Sequence, residues 1–444
     1  MRRRGRLWPR ILLGLVVLTL VVAVGGYWYE RPLLRTGTGY AAHNACALDV
    51  IARSPADADL PPNPLVPYLR FGAASDGYPV SVLGVLATQR AWPVDGFGCT
   101  LADERPSLGP ATPISARGNP IAGQPLPAAD PGLDAALARA FGDDLDPAGR
   151  ERLGTRAVLV VRDGRIVAER YAPGFSAETP QLGWSMAKSV TSLLTGVLAA
   201  QGKVSLSDDR LRPEWTDERA RITVEDLLRM RSGLNWDETY DLGTTITTML
   251  YDRPDMASFV ASQPLASPVG AAQQYSSGST TLLCGVLRTK TGQGADLPRA
   301  ELLAPLGLAS AVWEADASGT PVCSSYLWAT PRDWAAIGQF ALTDGVWNGR
   351  RLLPEGWMRQ TTTAITPAAA EDPNYAAGWW TNLTSTGSLA APSLPRDAYW
   401  AAGHDGQLLY VVPSEKLVVV RLGFSPAADD IRTDQLVADV IAAR

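Results

Sequence analysis

Gly183-Trp184-Ser185-Met186-Ala187-Lys188 is the stretch on which the reading of this chain turns. Ser185 opens an apolar run in which Met186, Val190, Leu193, Leu194, Val197 and Leu198 recur at helical spacing, and Gly202 stands where such a helix would stop. Residues i and i+3 share a helix face, so Ser185 and Lys188 point into the same space. The first turn adds free backbone N–H groups and the positive end of the helix dipole. Together these suit acyl transfer. Serine is a weak nucleophile until a base removes its proton, and lysine can do so only with a neutral amine, far below its ordinary pKa of ~10.4. Burial beside Met186, Ala187 and Val190 would push it in that direction. Of 40 basic residues only four are lysine (Lys188, Lys203, Lys290 and Lys416), which makes a lysine here informative. By itself S-x-x-K also fits an N-cap serine followed by a solvated lysine.

Two further stretches add weight. Gln274-Tyr275-Ser276-Ser277-Gly278 precedes an apolar helix over residues 280–287. A phenol beside a cationic lysine ionises more easily, so Tyr275 could relay the proton, and Ser277 could join the same network. Gly403-His404-Asp405-Gly406-Gln407 opens an apolar strand over residues 408–412. Glycines let a backbone approach a ligand closely, and an edge strand there would offer free N–H groups to substrate and oxyanion.

In this order and spacing the three stretches resemble the penicillin-recognising serine hydrolases. The likeness is to the class C β-lactamase-like branch, with its esterases, D-amino-peptidases and 6-aminohexanoate-dimer hydrolases. That family carries S-x-x-K at a helix start, Y-x-N or Y-x-S on a loop, and K-T-G or H-x-G on an edge strand. Ser185 to Lys188, Tyr275 to Ser277 and His404 to Gly406 are similar, and the resemblance covers residues 133–444. It implies an α/β (α+β) β-lactamase-like fold: an antiparallel sheet flanked by helices, an all-helical lobe and a cleft between. It implies that Ser185 is acylated, that Lys188 and Tyr275 shuttle the proton, and that backbone N–H groups of Ser185 and Gln407 hold the oxyanion. No metal or other cofactor is implied. A literal K-T-G at Lys290-Thr291-Gly292 falls at a helix end, where lysine and a following glycine are ordinary termination. His404 stands where β-lactamases of this branch carry lysine, and histidine lacks a permanent charge for a substrate carboxylate. The expected substrate is therefore an ester or a linear amide like the aminohexanoate dimer, with D-amino-peptidase or weak β-lactamase activity as the alternative. Trp236-Asp237-Glu238-Thr239-Tyr240 resembles a cleft-lining segment of the dimer hydrolases and nominates Tyr240 to contact the scissile amide.

Other classes fit less well. An α/β-hydrolase with His404 as base needs an apolar strand running into the serine, and Pro180-Gln181-Leu182 is not one. A cell-surface binding protein that has lost turnover would have no need of Ser185, Lys188 and Tyr275 together. There is no basic stripe for nucleic acid, no G-x-G-x-x-G and no P-loop, and two histidines cannot build an H-E-x-x-H zinc site. The expected partners are a small ester or amide substrate and a membrane.

The 444 residues, with 46% hydrophobic and 19% charged, suit one large domain with additions. Residues 1–30 read as a membrane anchor or a signal sequence. Arg2, Arg3, Arg4, Arg6 and Arg10 precede an apolar run, and Tyr27, Trp28 and Tyr29 close it. At ~1.5 Å per residue, residues 11–29 span about 28 Å, close to a bilayer core. The aromatic trio favours an uncleaved anchor, with Ala23-Val24-Gly25 as the alternative cleavage site. Either reading puts the remainder outside the cytoplasm. Residues 35–102 read as a small accessory module with one strand over 80–87 and a Cys46–Cys99 pair. Residues 103–132 read as a Pro/Gly-rich linker or surface wrap. Cys284 and Cys323 are left open between a pair and two buried thiols. Residues 133–444 form the hydrolase domain, with helices over residues 354–361 and 428–443 and the sheet built from strands at both ends.

Overall fold

Residues 157–161, 408–412 and 417–422 are almost continuously apolar, and such strands are stable only when both faces of their sheet are covered. In the computed structural model they form the centre of a six-stranded antiparallel sheet. Its order is Trp380–Thr381, Tyr399–Gly403, Gln407–Val412, Leu417–Gly423, Thr155–Arg162 and Arg165–Tyr171. The structure describes residues 7–54, 59–61, 63–125, 128–367, 369–426, 428 and 430–443. Side chains alternate along each strand. Leu159, Val161, Leu409, Val411, Val418 and Val420 pack toward helices Met186–Ala200 and Pro331–Leu342. Val158, Val160, Leu408, Val412, Leu417 and Val419 pack toward helices Pro131–Ala140 and Thr433–Ala442. The sheet joins the two ends of the domain, and helices Val224–Leu228, Thr245–Asp252, Met256–Ala261 and Ser277–Thr291 form the inserted lobe.

The N-terminus is one helix, Leu7–Ala47, of 41 residues. Its apolar part is exposed, is long and apolar enough to cross a membrane, and carries on past residues 30–35 without a break. From Thr36 onward the same helix is buried against a four-stranded sheet, Leu69–Phe71, Pro79–Val82, Leu86–Val94 and Gly98–Leu101, and against helix Thr245–Asp252. Arg2, Arg3, Arg4 and Arg6 lie outside the described residues. Two disulfides, Cys46–Cys99 and Cys284–Cys323, fit a location outside the cytoplasm.

Several sequence expectations are corrected. The single strand over residues 80–87 is a hairpin, because Leu83 and Gly84 turn the chain with φ of 54° and 87°. The stretch therefore belongs to two strands, in a sheet of four and not one. The final helix starts at Thr433, since Arg432 sits at φ 56° with its N–H held by Asp430. The helix expected from residue 354 begins at Trp357, after Gly356 at φ 77°. The strand Gln407–Val412 is interior to the sheet, so it has no free edge there, and only the turn before it is open. Residues 103–132 wrap the main domain: Asn119 donates to Asp333 at 2.7 Å and Ile121 joins the central core.

The helix Leu7–Ala47 approaches helix Thr245–Asp252 at Gly39, where a Cβ would stand 2.1 Å from the Tyr251 carbonyl oxygen. Gly39→Val must part the two helices, at about 1–3 kcal/mol for overpacking. A lower thermal midpoint and faster tryptic cleavage between Arg53 and Arg105 are expected; an unchanged midpoint would show that this contact carries no stability.

Candidate active site

Ser185 precedes the first turn of its helix with helical φ and ψ (−63°, −8°), and its hydroxyl makes no capping bond. It is hydrogen-bonded to Lys188 Nζ at 2.8 Å instead. Lys188 is only 2% exposed. Its Nζ also donates to Ser277 Oγ at 2.9 Å and to the Ser324 carbonyl at 3.2 Å. A solvated lysine beside an N-cap serine is thereby excluded. Burial pushes the amine down from its ordinary 10.5 to about 8, against the pull of the nearby Glu238 carboxylate. An amine so placed can take a proton from a hydroxyl at neutral pH.

The chain makes this geometry in identifiable ways. Gly183 N–H donates to the Leu327 carbonyl, and Trp184 stands at φ 47°, an unfavourable conformation for a bulky residue, immediately before Ser185. Ser276 caps helix Ser277–Thr291 through Ser279 N–H, which leaves the Ser277 hydroxyl free for Lys188. Ser277 Oγ donates to Glu238 Oε1 at 2.5 Å, and Ser277 N–H donates to Oε2 at 2.8 Å. Cys284 lies on the same helix as Ser277, and its bond to Cys323 holds the segment that carries the Ser324 carbonyl.

Tyr275 turns its ring face to Lys188, with Nζ 4.8 Å from the ring centroid, and stacks on Trp380. The expectation that the lysine would ease its ionisation is overturned. Burial, with the Glu238 charge, raises the phenol far above its ordinary value. It is a proton donor at neutral pH. The Tyr240 hydroxyl is buried beside Ser277 without a well-formed hydrogen bond among the described residues, and burial and Glu238 raise it as well. Tyr240 stacks on His404 at 4.6 Å between centroids, and Trp184 meets both rings edge-on.

The turn Gly403–Gln407 abuts the Ser185 segment. A Cβ on Gly403 would lie 2.1 Å from the Gly183 carbonyl oxygen, so only glycine permits the approach. The turn is braced from behind: Arg421 donates to the Gly406 carbonyl at 2.6 Å, and the Gln407 side chain exchanges hydrogen bonds with the Gly423 backbone. The Gln407 amide side chain is thus occupied, and only its main chain is available to a ligand. His404 is 3.4 Å from Asp405 and is not the partner of the Ser185 hydroxyl.

A family model described as Beta-lactamase matches residues 137–441. The chain belongs to the β-lactamase family. It has the β-lactamase-like fold, and the family is one of serine hydrolases. The 6-aminohexanoate-dimer hydrolase of Paenarthrobacter ureafaciens is 25% identical over 312 residues, covering 63% of this chain and 75% of that protein. A Bacillus anthracis protein provisionally named a 6-aminohexanoate-dimer hydrolase superposes with a TM-score of 0.58 at 21% identity, over 74% of this chain and 89% of its own. A penicillin-binding protein homologue from Caulobacter crescentus gives 0.55 at 16% identity, over 72% of this chain and all (100%) of its own.

Within this β-lactamase-family domain the structure brings Ser185, Lys188, Tyr275 and Ser277 into one cluster, with Tyr240, His404 and the Gly406 turn beside it. The literal K-T-G is elsewhere: Lys290 pairs with Asp208 at 2.8 Å and Gly292 ends its helix at φ 69°. Sequence reasoning missed Glu238, Ser324 and Arg421. The acidic segment before Tyr240 pointed to the right place, but nothing in it says whether Asp237 or Glu238 turns inward.

Glu238 raises the Lys188 pKa, so Glu238→Gln lowers it further. The rising limb of kcat/KM against pH, centred near 8 in the wild type if Lys188 must be neutral, is expected to move to lower pH in that variant. A limb that stays in place would separate Glu238 from the titration of Lys188.

Proposed function

We propose that the chain is a serine hydrolase that forms an acyl-enzyme on Ser185 and cleaves esters or linear amides. The observation that carries this reading is the buried Lys188 amine, 2.8 Å from the Ser185 hydroxyl with its pKa brought down to about 8. Lys188 takes the Ser185 proton as the oxygen attacks the substrate carbonyl. Backbone N–H groups of Ser185 and Gln407 receive the oxyanion. Tyr275, protonated and with its hydroxyl beside Ser185, passes a proton to the leaving group and is replenished by the proton that Lys188 took from Ser185. Water then releases the acyl group by the reverse proton path.

The turn from Gly403 to Gln407 contains no lysine or arginine, which favours substrates without the carboxylate of a β-lactam. Among the described relatives, the name 6-aminohexanoate-dimer hydrolase points the same way. The buried Tyr240 hydroxyl, which lies beside Ser277 without a well-formed hydrogen bond to it, supports a linear amide, whose N–H or carbonyl would give it one of good geometry. The N-terminal helix is read as a retained membrane anchor. In support, it carries on unbroken into the folded module, and the Tyr27 hydroxyl at the end of the apolar run accepts from Ala87 N–H at 3.2 Å.

Treatment with a fluorophosphonate should label Ser185, as read by mass spectrometry of the labelled peptide. Lys188→Ala should slow labelling by roughly 10²–10⁴-fold, the usual worth of a general base, whereas His404→Ala should still label. Loss of label in His404→Ala with retention in Lys188→Ala would replace this mechanism with a Ser-His one. Tyr240→Phe should cost the aminohexanoate dimer roughly fivefold in kcat/KM and p-nitrophenyl acetate much less, since one neutral hydrogen bond is worth about 1 kcal/mol. Equal losses on the two substrates would remove the amide-contact role.

A further inference from the structure

A cavity of about 220 Å³ is lined by Trp184, Tyr240 and His404, which also flank the site. More than half of its lining residues lie outside the family-matched residues 137–441. Tyr40 and Ala41 come from the long N-terminal helix, and Leu65 and Val66 come from the segment that follows it. Leu242 and Tyr251 close it from the helical lobe. Among the described residues no lysine or arginine lines it, and the one acidic lining residue, Asp241, is exposed.

We infer that this cavity is a substrate pocket, and that the N-terminal module selects substrates carrying an uncharged apolar chain on one side of the scissile bond. The inference rests on the acyl-enzyme reading of Ser185. The pocket takes Trp184, the residue next to Ser185, and Tyr240 and His404 into its wall, and a chain bound there would pass these rings to reach a carbonyl at Ser185. Its wall is mostly aliphatic and aromatic carbon, from Ala41, Leu60, Leu65, Val66, Leu69 and Leu242 with the rings beside them, and each methylene buried there adds to binding. A buried anion would meet no cationic side chain among the described lining residues and would lose its hydration. The helix that supplies Tyr40 also carries the exposed apolar segment that ends at Tyr29, so Thr36 at the pocket edge is only about 10 Å along the helix axis from that segment. An amphipathic ester or amide suits both features.

The test uses the full-length protein in lipid nanodiscs with two ester series. p-Nitrophenyl acetate, butyrate and octanoate lengthen the acyl side, and ethyl, butyl and hexyl acetate lengthen the alcohol side. The expected result is a kcat/KM at least about tenfold higher for the longest member in one of the two series, from several buried methylenes. Val66→Asp and Leu242→Trp, from opposite walls, should each reduce that long-to-short ratio at least about fivefold. Tyr68→Asp, exposed on the same segment and not lining the pocket, should leave the ratio at the wild-type value. Because the ratio is taken within each variant, a change in overall stability does not alter it. Flat ratios in both series, with acetate turnover and a Ser185 adduct present, overturn the pocket alone. A ratio that survives both wall substitutions also overturns it. Absence of any Ser185 adduct overturns the acyl-enzyme reading and the pocket with it.

Discussion

The desolvation of one amine sets the terms for everything around it. Lys188 is enclosed with three polar neighbours and no carboxylate in contact: the Ser185 hydroxyl, the Ser277 hydroxyl and the Ser324 carbonyl. A neutral amine has two N–H donors and one lone pair. Two donors meet Ser324 and Ser277, and the lone pair meets the Ser185 O–H. An ammonium has three donors and finds three acceptors in the same places. The cage therefore satisfies both protonation states without rearrangement, which is what a group that must gain and lose a proton needs. Glu238 stands one hydroxyl away, close enough to temper the depression of the amine but not to fix it as a cation.

That cage is drawn from three distant parts of the sequence, and the fold exists to hold them together. The serine and lysine share a helix start by simple periodicity. Ser277 opens a second helix whose cap is supplied by its neighbour Ser276, so it is released from a local duty that serines at that position commonly perform. Ser324 is held against the second helix by the Cys284–Cys323 bond and by Thr281, whose hydroxyl donates to Ser324 Oγ at 3.0 Å. Opposite, the Gly403 turn closes on the Gly183 carbonyl because Gly403 presents no Cβ, and the missing Cβ of Gly183 makes room for Trp334.

What the sequence made legible follows from the range of the forces involved. Ser185 with Lys188, the hairpin at residues 155–171, the two-sided strands and the Ser185 helix are encoded by periodicity and turn chemistry over a few residues. Tyr275 and the Gly403 turn were legible through their likeness to a family pattern. Glu238, Ser324 and Arg421 were not, because each is chosen by tertiary direction. Arg421 interrupts an apolar strand and would read as a fault. Its guanidinium instead reaches the Gly406 carbonyl, the Leu153 carbonyl and Ser425, and so binds the turn to the sheet beneath. The error over Tyr275 has the same origin. Its neighbour Lys188 was visible in the sequence, but the burial that outweighs the lysine was not. The four-stranded N-terminal sheet escaped because Leu83 and Ala87, on either side of the turn at Gly84, adopt positive φ although neither is glycine, which left a hairpin looking like one strand.

The N-terminal module is tied to the catalytic domain at its most sensitive point. Glu314, fully buried, accepts from Cys99 N–H at 2.7 Å and Trp328 Nε1 at 3.0 Å, and lies 2.9 Å from His43 Nε2 on the N-terminal helix. A buried carboxylate left without such partners costs several kcal/mol, so the module and domain stabilise one another through it. The His43 ring then stacks on Tyr326 at 4.0 Å, and Tyr326 meets Trp184, the strained residue before Ser185, edge-on at 6.2 Å. Tyr40, one turn earlier on the same helix, lies parallel to Trp184 at 6.5 Å. Trp184 is thus held in its unfavourable backbone conformation by aromatic contacts from the added module as well as from its own domain. A family domain that lacked this helix would have to fix the residue corresponding to Trp184 by other means, and the module is therefore part of the frame of the site.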